Sequence, residues 1–204
     1  MVDPLTNIRV CHWVCWLALA RFDDLMSTTS DGPVGMAASL IVLSGRPGTG
    51  KTTLATAFAR HLRVCYLRVD AAETALERTG LSVGIEGYAV IHELAVSNLL
   101  LGRDVVVDAV NPVPEARAGW REAADRGRAR LLHVETWLPD RLEHRRRVEA
   151  RTPDMPHQQV PSWDEVEGQA WVPWDTERDG PRALIETSDS REALSALVSV
   201  HEQS

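Results

Sequence analysis

The sequence predicts an α/β fold with a five-stranded, mostly parallel sheet and helices on both faces. Three observations predict it. Short apolar runs alternate with helix-spaced segments from Ser39 to the end of the chain, as repeated strand–helix–strand units do. The first of these runs, Ser39-Leu40-Ile41-Val42-Leu43-Ser44, is continuously apolar at its centre, as a strand buried on both faces must be. It leads directly into Gly45-Arg46-Pro47-Gly48-Thr49-Gly50-Lys51-Thr52-Thr53, and the segment after that carries Leu54, Phe58 and Leu62 at helical spacing.

Strand, glycine-rich loop, helix is the order in which backbone N–H groups converge on an anion at a helix N-terminus. The loop fits G-x-x-x-x-G-K-[ST], so the fold expected is the three-layer P-loop NTPase sandwich. Gly45, Pro47, Gly48, Thr49, Gly50, Lys51, Thr52 and Thr53 are the expected nucleotide-phosphate residues. Lys51 reaches the β- and γ-phosphates and the Thr52 hydroxyl ligates Mg²⁺. Of the 22 basic residues Lys51 is the single lysine, and the rest are arginine. A chain that uses arginine for every other positive charge keeps a compact ammonium on a flexible stem at this position.

The remaining elements follow in order. Arg63 to Val69 reads as the second strand, ending at Asp70, and Ala71 to Arg78 as a short helix closed by Gly80. Glu86 to Leu101 is a longer helix closed by Gly102. Asp104-Val105-Val106-Val107 is a β-branched strand ending at Asp108. Asn111-Pro112-Val113-Pro114 turns into a helix from Glu115 to Arg126. Arg130 to Thr136 is the fourth strand and Leu138 to Arg151 an arginine-rich helix. Thr152 to Trp174 is polar and proline-containing; its Trp163, Trp171 and Trp174 are expected to pack it rather than to stack on a ligand. Ala183 to Thr187 is the last strand, and Arg191 to His201 the last helix. Residues 39–204 form the expected domain, with roughly 141–178 as an arginine-rich lid.

Residues 1–38 read as an extension. The apolar run at residues 10–20 is too short to span a bilayer. Asp3 removes the basic start of a signal peptide, and Asp23-Asp24 follow the run. Met36 is an alternative start, and a partner-binding or dimerising helix is an alternative role. The three cysteines, Cys11, Cys15 and Cys65, form no C-x-x-C pair and no disulfide framework, and no second cluster joins Cys11, His12 and Cys15 as metal ligands. A reducing cytoplasm is the compartment expected. The net charge of −7 offers no general basic surface to a polynucleotide, so nucleic acid is not the expected partner. Neither is a membrane; a homodimer is left open.

Open parallel sheets bind ligands outside the carboxyl ends of their strands. The P-loop, Asp70, Asp108 and Thr187 all lie at such ends and should meet in one cleft. Asp108 takes the place of the second nucleotide-site acid, serving Mg²⁺ with Thr52. Ala109 follows it where many ATP-hydrolysing motors place a water-activating glutamate, which disfavours a motor. With no second lysine there is no N-K-x-D element, which disfavours a GTPase. Asp70 is the candidate general base for an acceptor hydroxyl and also a candidate helix N-cap. In the run Arg141, Arg145, Arg146, Arg147 and Arg151, the last two are four apart, on one helical face. They are expected to close over the transferring group; the alternative is a solvated face paired with Glu143 and Glu149. Thr187 is assigned to the nucleotide, and Tyr88, Asn111 and Arg117 to the acceptor pocket. His92, His133 and His144 show no ligand spacing and read as structural or surface residues.

These motifs make residues 39–188 resemble the small P-loop kinases related to chloramphenicol phosphotransferase, the zeta-toxin kinases and the 5′-kinase domain of polynucleotide kinase. The carriers are Gly45 to Thr53, Asp70, Asp108 and Arg147-x-x-x-Arg151. Glu86-Gly87-Tyr88, Asp108-Ala109-Val110-Asn111-Pro112, Glu143-His144-Arg145-Arg146-Arg147 and Pro173-Trp174-Asp175 are similar to segments of bacterial AAA-family ATPases and kinases. The resemblance implies a catalytic base at Asp70 and donor-gripping arginines at Arg147 and Arg151. It departs at Glu73, where polynucleotide kinases carry an arginine that holds the substrate phosphate. The function expected is an ATP- and Mg²⁺-dependent transfer of the γ-phosphate to a hydroxyl of a small antibiotic, nucleoside or sugar-like molecule. A polynucleotide or RNA-end kinase and a non-catalytic nucleotide-binding module are the alternatives.

Overall fold

The computed structural model describes residues 37–204. The expectations for the N-terminal extension, Cys11, His12 and Cys15 among them, lie outside the described residues. Five strands form one sheet in the order β2-β3-β1-β4-β5. They are β1 (Ser39–Ser44), β2 (Cys65–Arg68), β3 (Val105–Asp108), β4 (Arg130–Trp137) and β5 (Ala183–Glu186). Every pairing is parallel, so the sheet is wholly rather than mostly so.

The apolar run of β1 puts it at the centre, and the two-residue period of a strand divides its side chains between two cores. Leu40 and Val42 face a core closed by α3 (Glu86–Leu100) and α4 (Pro114–Arg126), through Ile91, Ala95, Leu99 and Trp120. Ile41 and Leu43 face the other, closed by α1 (Lys51–Leu62) and α8 (Ser190–Gln203), through Leu54, Phe58 and Leu197. Two faces each covered by helices make the three-layer P-loop NTPase sandwich.

The element boundaries differ from those its apolar runs suggest. Arg63, read as the start of β2, ends α1 in the left-handed region at φ 57°, and the strand begins at Cys65. α2 (Val69–Glu77) starts directly after β2, so Asp70 lies in its first turn and Arg68 occupies the N-cap; Asp70 is not the cap. A carboxylate there still complements the helix dipole. Trp137 pairs with Glu186 and extends β4 beyond Thr136. Pro139 delays the next helix, α5 (Arg141–Glu149), which Asp140 caps by accepting from the Leu142 and Glu143 N–H groups. Arg151 is therefore past the helix end rather than on its face. The polar segment that follows contains two short helices, α6 (Trp163–Gly168) and α7 (Thr176–Asp179). Trp163 and Val166 pack on Val148 in a small core of their own, which fastens α6 to α5. No helix among the described residues is long and apolar enough to cross a membrane.

Candidate active site

The sheet order decides where the site forms. β1 lies between β3 and β4, so the chain leaves β1 toward one side of the sheet and later crosses to the other, opening a crevice at the strands' carboxyl ends. The P-loop fills that crevice. Gly48 and Gly50 have φ of 83° and 85°, values a side chain strongly disfavours, and these two turns aim the loop's amides into one concavity. The Gly45 N–H donates to the Val110 carbonyl (3.2 Å), and Thr49 Oγ1 shares a 2.8 Å hydrogen bond with Thr136 Oγ1. Both bonds fix the loop from beneath. Thr187 does the same: its Oγ1 donates to the Thr49 carbonyl at 2.6 Å, and its side chain is buried. Sequence position assigned Thr187 to the nucleotide; its hydroxyl instead braces the loop backbone and lines neither cavity beside it.

A cavity of about 180 Å³ brings Pro47, Lys51, Thr52, Asp70, Asp108 and Arg151 together. A second space, about 420 Å³, opens over Gly48, Gly50, Lys51, Thr52 and Thr53, and Arg147 and Arg151 also line it. Lys51 is 7 % exposed, and its Nζ donates to the Arg46 carbonyl at 3.0 Å. Burial pushes its pKa down, opposed by the charges of Asp108 and Asp70. The ammonium is thus poorly solvated and ready to exchange one carbonyl for phosphate oxygens. Asp108 is buried, and its Oδ2 accepts from the Tyr66 hydroxyl at 3.1 Å. Burial first, then the Asp108 charge, raises the Tyr66 pKa, which keeps the phenol a donor.

Arg68 organises the acids. β2 pairs with β3 so that Arg68 sits beside Asp108 in register. The guanidinium donates to Asp154 (2.7 Å) and Asp70 (3.1 Å) and lies 3.8 Å from Asp108. Burial works against its charge, but the bonds to Asp154 and Asp70 and the field of Asp108 hold its pKa up. Asp70 remains 33 % exposed; Gln158 Nε2 approaches it at 3.5 Å and Arg151 at 3.8 Å. The local pattern hid Arg68, because its partners lie 2, 40 and 86 positions away. The signal was a single charge ending an otherwise apolar strand next to Asp70.

Of the arginine run, Arg141 pairs with Glu167, Arg145 with Glu149 and Arg146 with Glu143 on exposed helix surface. Only Arg147 and Arg151 face the loop. Arg147 donates to Glu143 (2.7 Å) and to the Thr187 carbonyl (2.9 Å), which places its fork beside the P-loop. His144, read as structural or surface, touches the loop directly: its Nε2 is 2.8 Å from the Pro47 carbonyl. Arg46, inside the loop, donates to the Val166 carbonyl (2.8 Å) and lies over the Trp171 ring.

Two residues expected in the acceptor pocket are elsewhere. Asn111 is 1 % exposed; its amide donates to Ser44 Oγ (2.8 Å) and accepts from Trp120 Nε1 (2.8 Å). Arg117 is equally buried, bonded to Asp179 (2.8 Å) and to the Asn111 and Pro112 carbonyls. A buried guanidinium has to spend its donors on internal acceptors, so Arg117 ties α4 to α7 and cannot reach a ligand. Tyr88 does line a cavity, of about 570 Å³, which also takes in Asp70, Glu73 and Val110. Those three residues line the P-loop cavity as well, so the two spaces meet at Asp70.

Comparisons with known proteins agree with this architecture. No curated protein sequence matches the chain. Among solved structures, an APS kinase of Mycobacterium tuberculosis, in complex with AMPPNP and APS, superposes with a TM-score of 0.58 at 19 % identity, over 82 % of this chain and 99 % of that one. A gluconokinase of Sinorhizobium meliloti gives 0.55 at 20 % identity, over 83 % and 97 %. Kti12 of Chaetomium thermophilum, in complex with ADP-AlF3, gives 0.53 at 14 % identity, over 78 % and 97 %. At these identities the likeness establishes a shared P-loop fold. The profile of the AAA domain matches residues 40–165, most of the described chain, and the chain belongs to that AAA-domain family, AAA_33.

Proposed function

We propose that the protein is an ATP-dependent phosphotransferase that moves the γ-phosphate to a hydroxyl of a small molecule, antibiotic-, nucleoside- or sugar-like. One observation carries the reading: Asp70 lines both the cavity of Lys51, Thr52 and Asp108 and the larger cavity beyond it. A carboxylate at the junction of a phosphate cradle and a second chamber is where a kinase needs its base.

The donor phosphates would lie on the P-loop amides and Lys51. Thr52 and Asp108, which share one cavity, are the residues to hold Mg²⁺. Bound there, that ion neutralises charge on the β- and γ-phosphates. Asp70 accepts the acceptor's hydroxyl proton as the oxygen attacks the γ-phosphorus. The bond from the γ-phosphorus to the β–γ bridging oxygen breaks, its electron pair leaves with ADP, and a phosphate monoester forms. Arg147 and Arg151, which line the space over the loop, supply positive charge to the moving group. The chain from Arg151 through α6 is the lid in this reading. Asp154 and Gln158 contact Arg68 and Asp70, and Val166 accepts from Arg46, so it reaches both the base and the loop.

The test is a mass-spectrometric screen of hydroxyl compounds with ATP and Mg²⁺ for a product that has gained one phosphate. The reading expects such a product. ATP consumption that yields only inorganic phosphate across a broad panel would favour a hydrolytic or regulatory module.

A further inference from the structure

The chamber beyond Asp70 has a charge character of its own. Its walls are apolar and aromatic, with Val69, Ile85, Tyr88 and Val113 among them, while its charged groups are Asp70, Glu73 and Glu115; no arginine or lysine lines it. Burial holds the His92 imidazole below its ordinary value, so it adds no positive charge at neutral pH. Tyr88, pushed up to about 12 by burial, stays a neutral phenol.

Glu73 is held at the neck of this chamber. It sits one turn after Asp70 on α2, so the two carboxylates share a face of the helix. Its side chain lies against α3 at Gly87, where a Cβ would come within 2.4 Å of Glu73 Cγ. The glycine makes room for this carboxylate. Desolvation, then the charges of Asp70 and Glu77, raise Glu73 to about 7. This acid is half-buried, its charged neighbours are other carboxylates, and it stands at the entrance to a chamber whose lining supplies no cation.

We infer that the acceptor is a hydrophobic alcohol bearing a protonated amine a few bonds from its hydroxyl, with Glu73 and Glu115 receiving the amine while Asp70 receives the hydroxyl. An anionic acceptor would bring like charge beside Glu73 and Glu115, which no cation of the chamber lining offsets, Asp70 alone being paired, with Arg68. A neutral alcohol would bury Glu73 further with no partner. An ammonium meets the missing charge, and Tyr88 is among the residues that line the chamber it would enter. The inference rests on the kinase reading for the role of Asp70 but is tested by binding as well as by turnover.

The probes are phenylalaninol, its deaminated counterpart phenylpropanol, and the carboxylate phenyllactate, titrated into the full chain with AMPPNP and Mg²⁺. Phenylalaninol is expected to bind at least about tenfold tighter than phenylpropanol, with phenyllactate weakest. Glu73→Gln and Glu115→Gln should each shrink that preference to roughly threefold or less, and Glu73→Arg should shift it toward phenyllactate. Circular dichroism identifies any variant that fails to fold, and the remaining ones decide. Equal or tighter binding of phenylpropanol or phenyllactate to the wild type overturns the inference. So does a preference unchanged in both glutamine variants, or no binding of any probe at millimolar concentration. Replacing AMPPNP by ATP separates the two claims. An amine preference in binding with no phosphate transferred to any probe contradicts the kinase reading alone. Phosphorylation of phenyllactate ahead of phenylalaninol contradicts the charge assignment alone.

Discussion

Buried at 7 % exposure, Arg68 places one positive charge among Asp70, Asp108 and Asp154. Without it, three carboxylates would face each other and the phosphates of a nucleotide. Removing one partner of a buried charge cluster costs more than the cluster contributes, because the remaining charges are stranded. Arg68→Met is expected to lower unfolding stability by about 2–4 kcal/mol in urea titrations, below the fully buried range since Asp70 and Asp154 keep contact with water. Glu73 acts in the opposite sense. Its folded pKa of about 7 lies above the ordinary 4.5, so between those values the native state holds the extra proton. Stability is greatest below the lower value and is lost as pH rises through the upper one. Glu73→Gln removes that loss. The melting temperature of the variant relative to wild type should be higher at about pH 8 than at about pH 5. These two residues also mark what sequence left hidden. Asp70 and Asp108 were legible because each ends an apolar run. Arg68 and Glu73 take their character from neighbours on other elements, and Arg117 was misplaced because its distant partner Asp179 makes it an interior tie.

At the scale of elements, α5 and the P-loop act as a packed pair. Val148 and His144 lie over Gly48, where a Cβ would meet Val148 at 2.5 Å and His144 at 3.3 Å. Gly48 also holds φ 83°. Gly48→Ala therefore strains the loop twice, in backbone and in packing, and should weaken AMPPNP binding by about tenfold or more in calorimetry. His144→Ala, which opens space without straining the backbone, should have a smaller effect. The P-loop was readable because its geometry is local: glycines, a lysine and a helix start within nine residues. The helix boundaries were less so. Apolar patterning put Arg63 inside β2 and stopped β4 at Thr136, whereas a left-handed turn ends α1 at Arg63 and a cross-strand pair carries β4 to Trp137. The lid's short helices were not legible, because Ser162–Glu165 capping and the Val148–Trp163–Val166 core only gain meaning once α5 is in place.

Across the whole molecule, the strand order β2-β3-β1-β4-β5 does what no single motif can. It sets β2 and β3 side by side, so Asp70 and Asp108 reach the same cavity as Lys51. It leaves the far side of Asp70 open to a larger chamber between α2, α3 and the loop after β3. Strand–helix alternation in the sequence foretold this convergence; the strand order that produces it required the structure. In the proposed reaction phosphate passes from the P-loop to an alcohol and Asp70 takes the proton. Its most direct measurement is single-turnover transfer from γ-labelled ATP to an acceptor, in wild type and Asp70→Asn, with nucleotide affinity measured in parallel. The prediction is a loss of about 10²–10⁴-fold in transfer rate with affinity for ATP within about threefold of wild type. Transfer by Asp70→Asn at the wild-type rate would show that Asp70 is not the base.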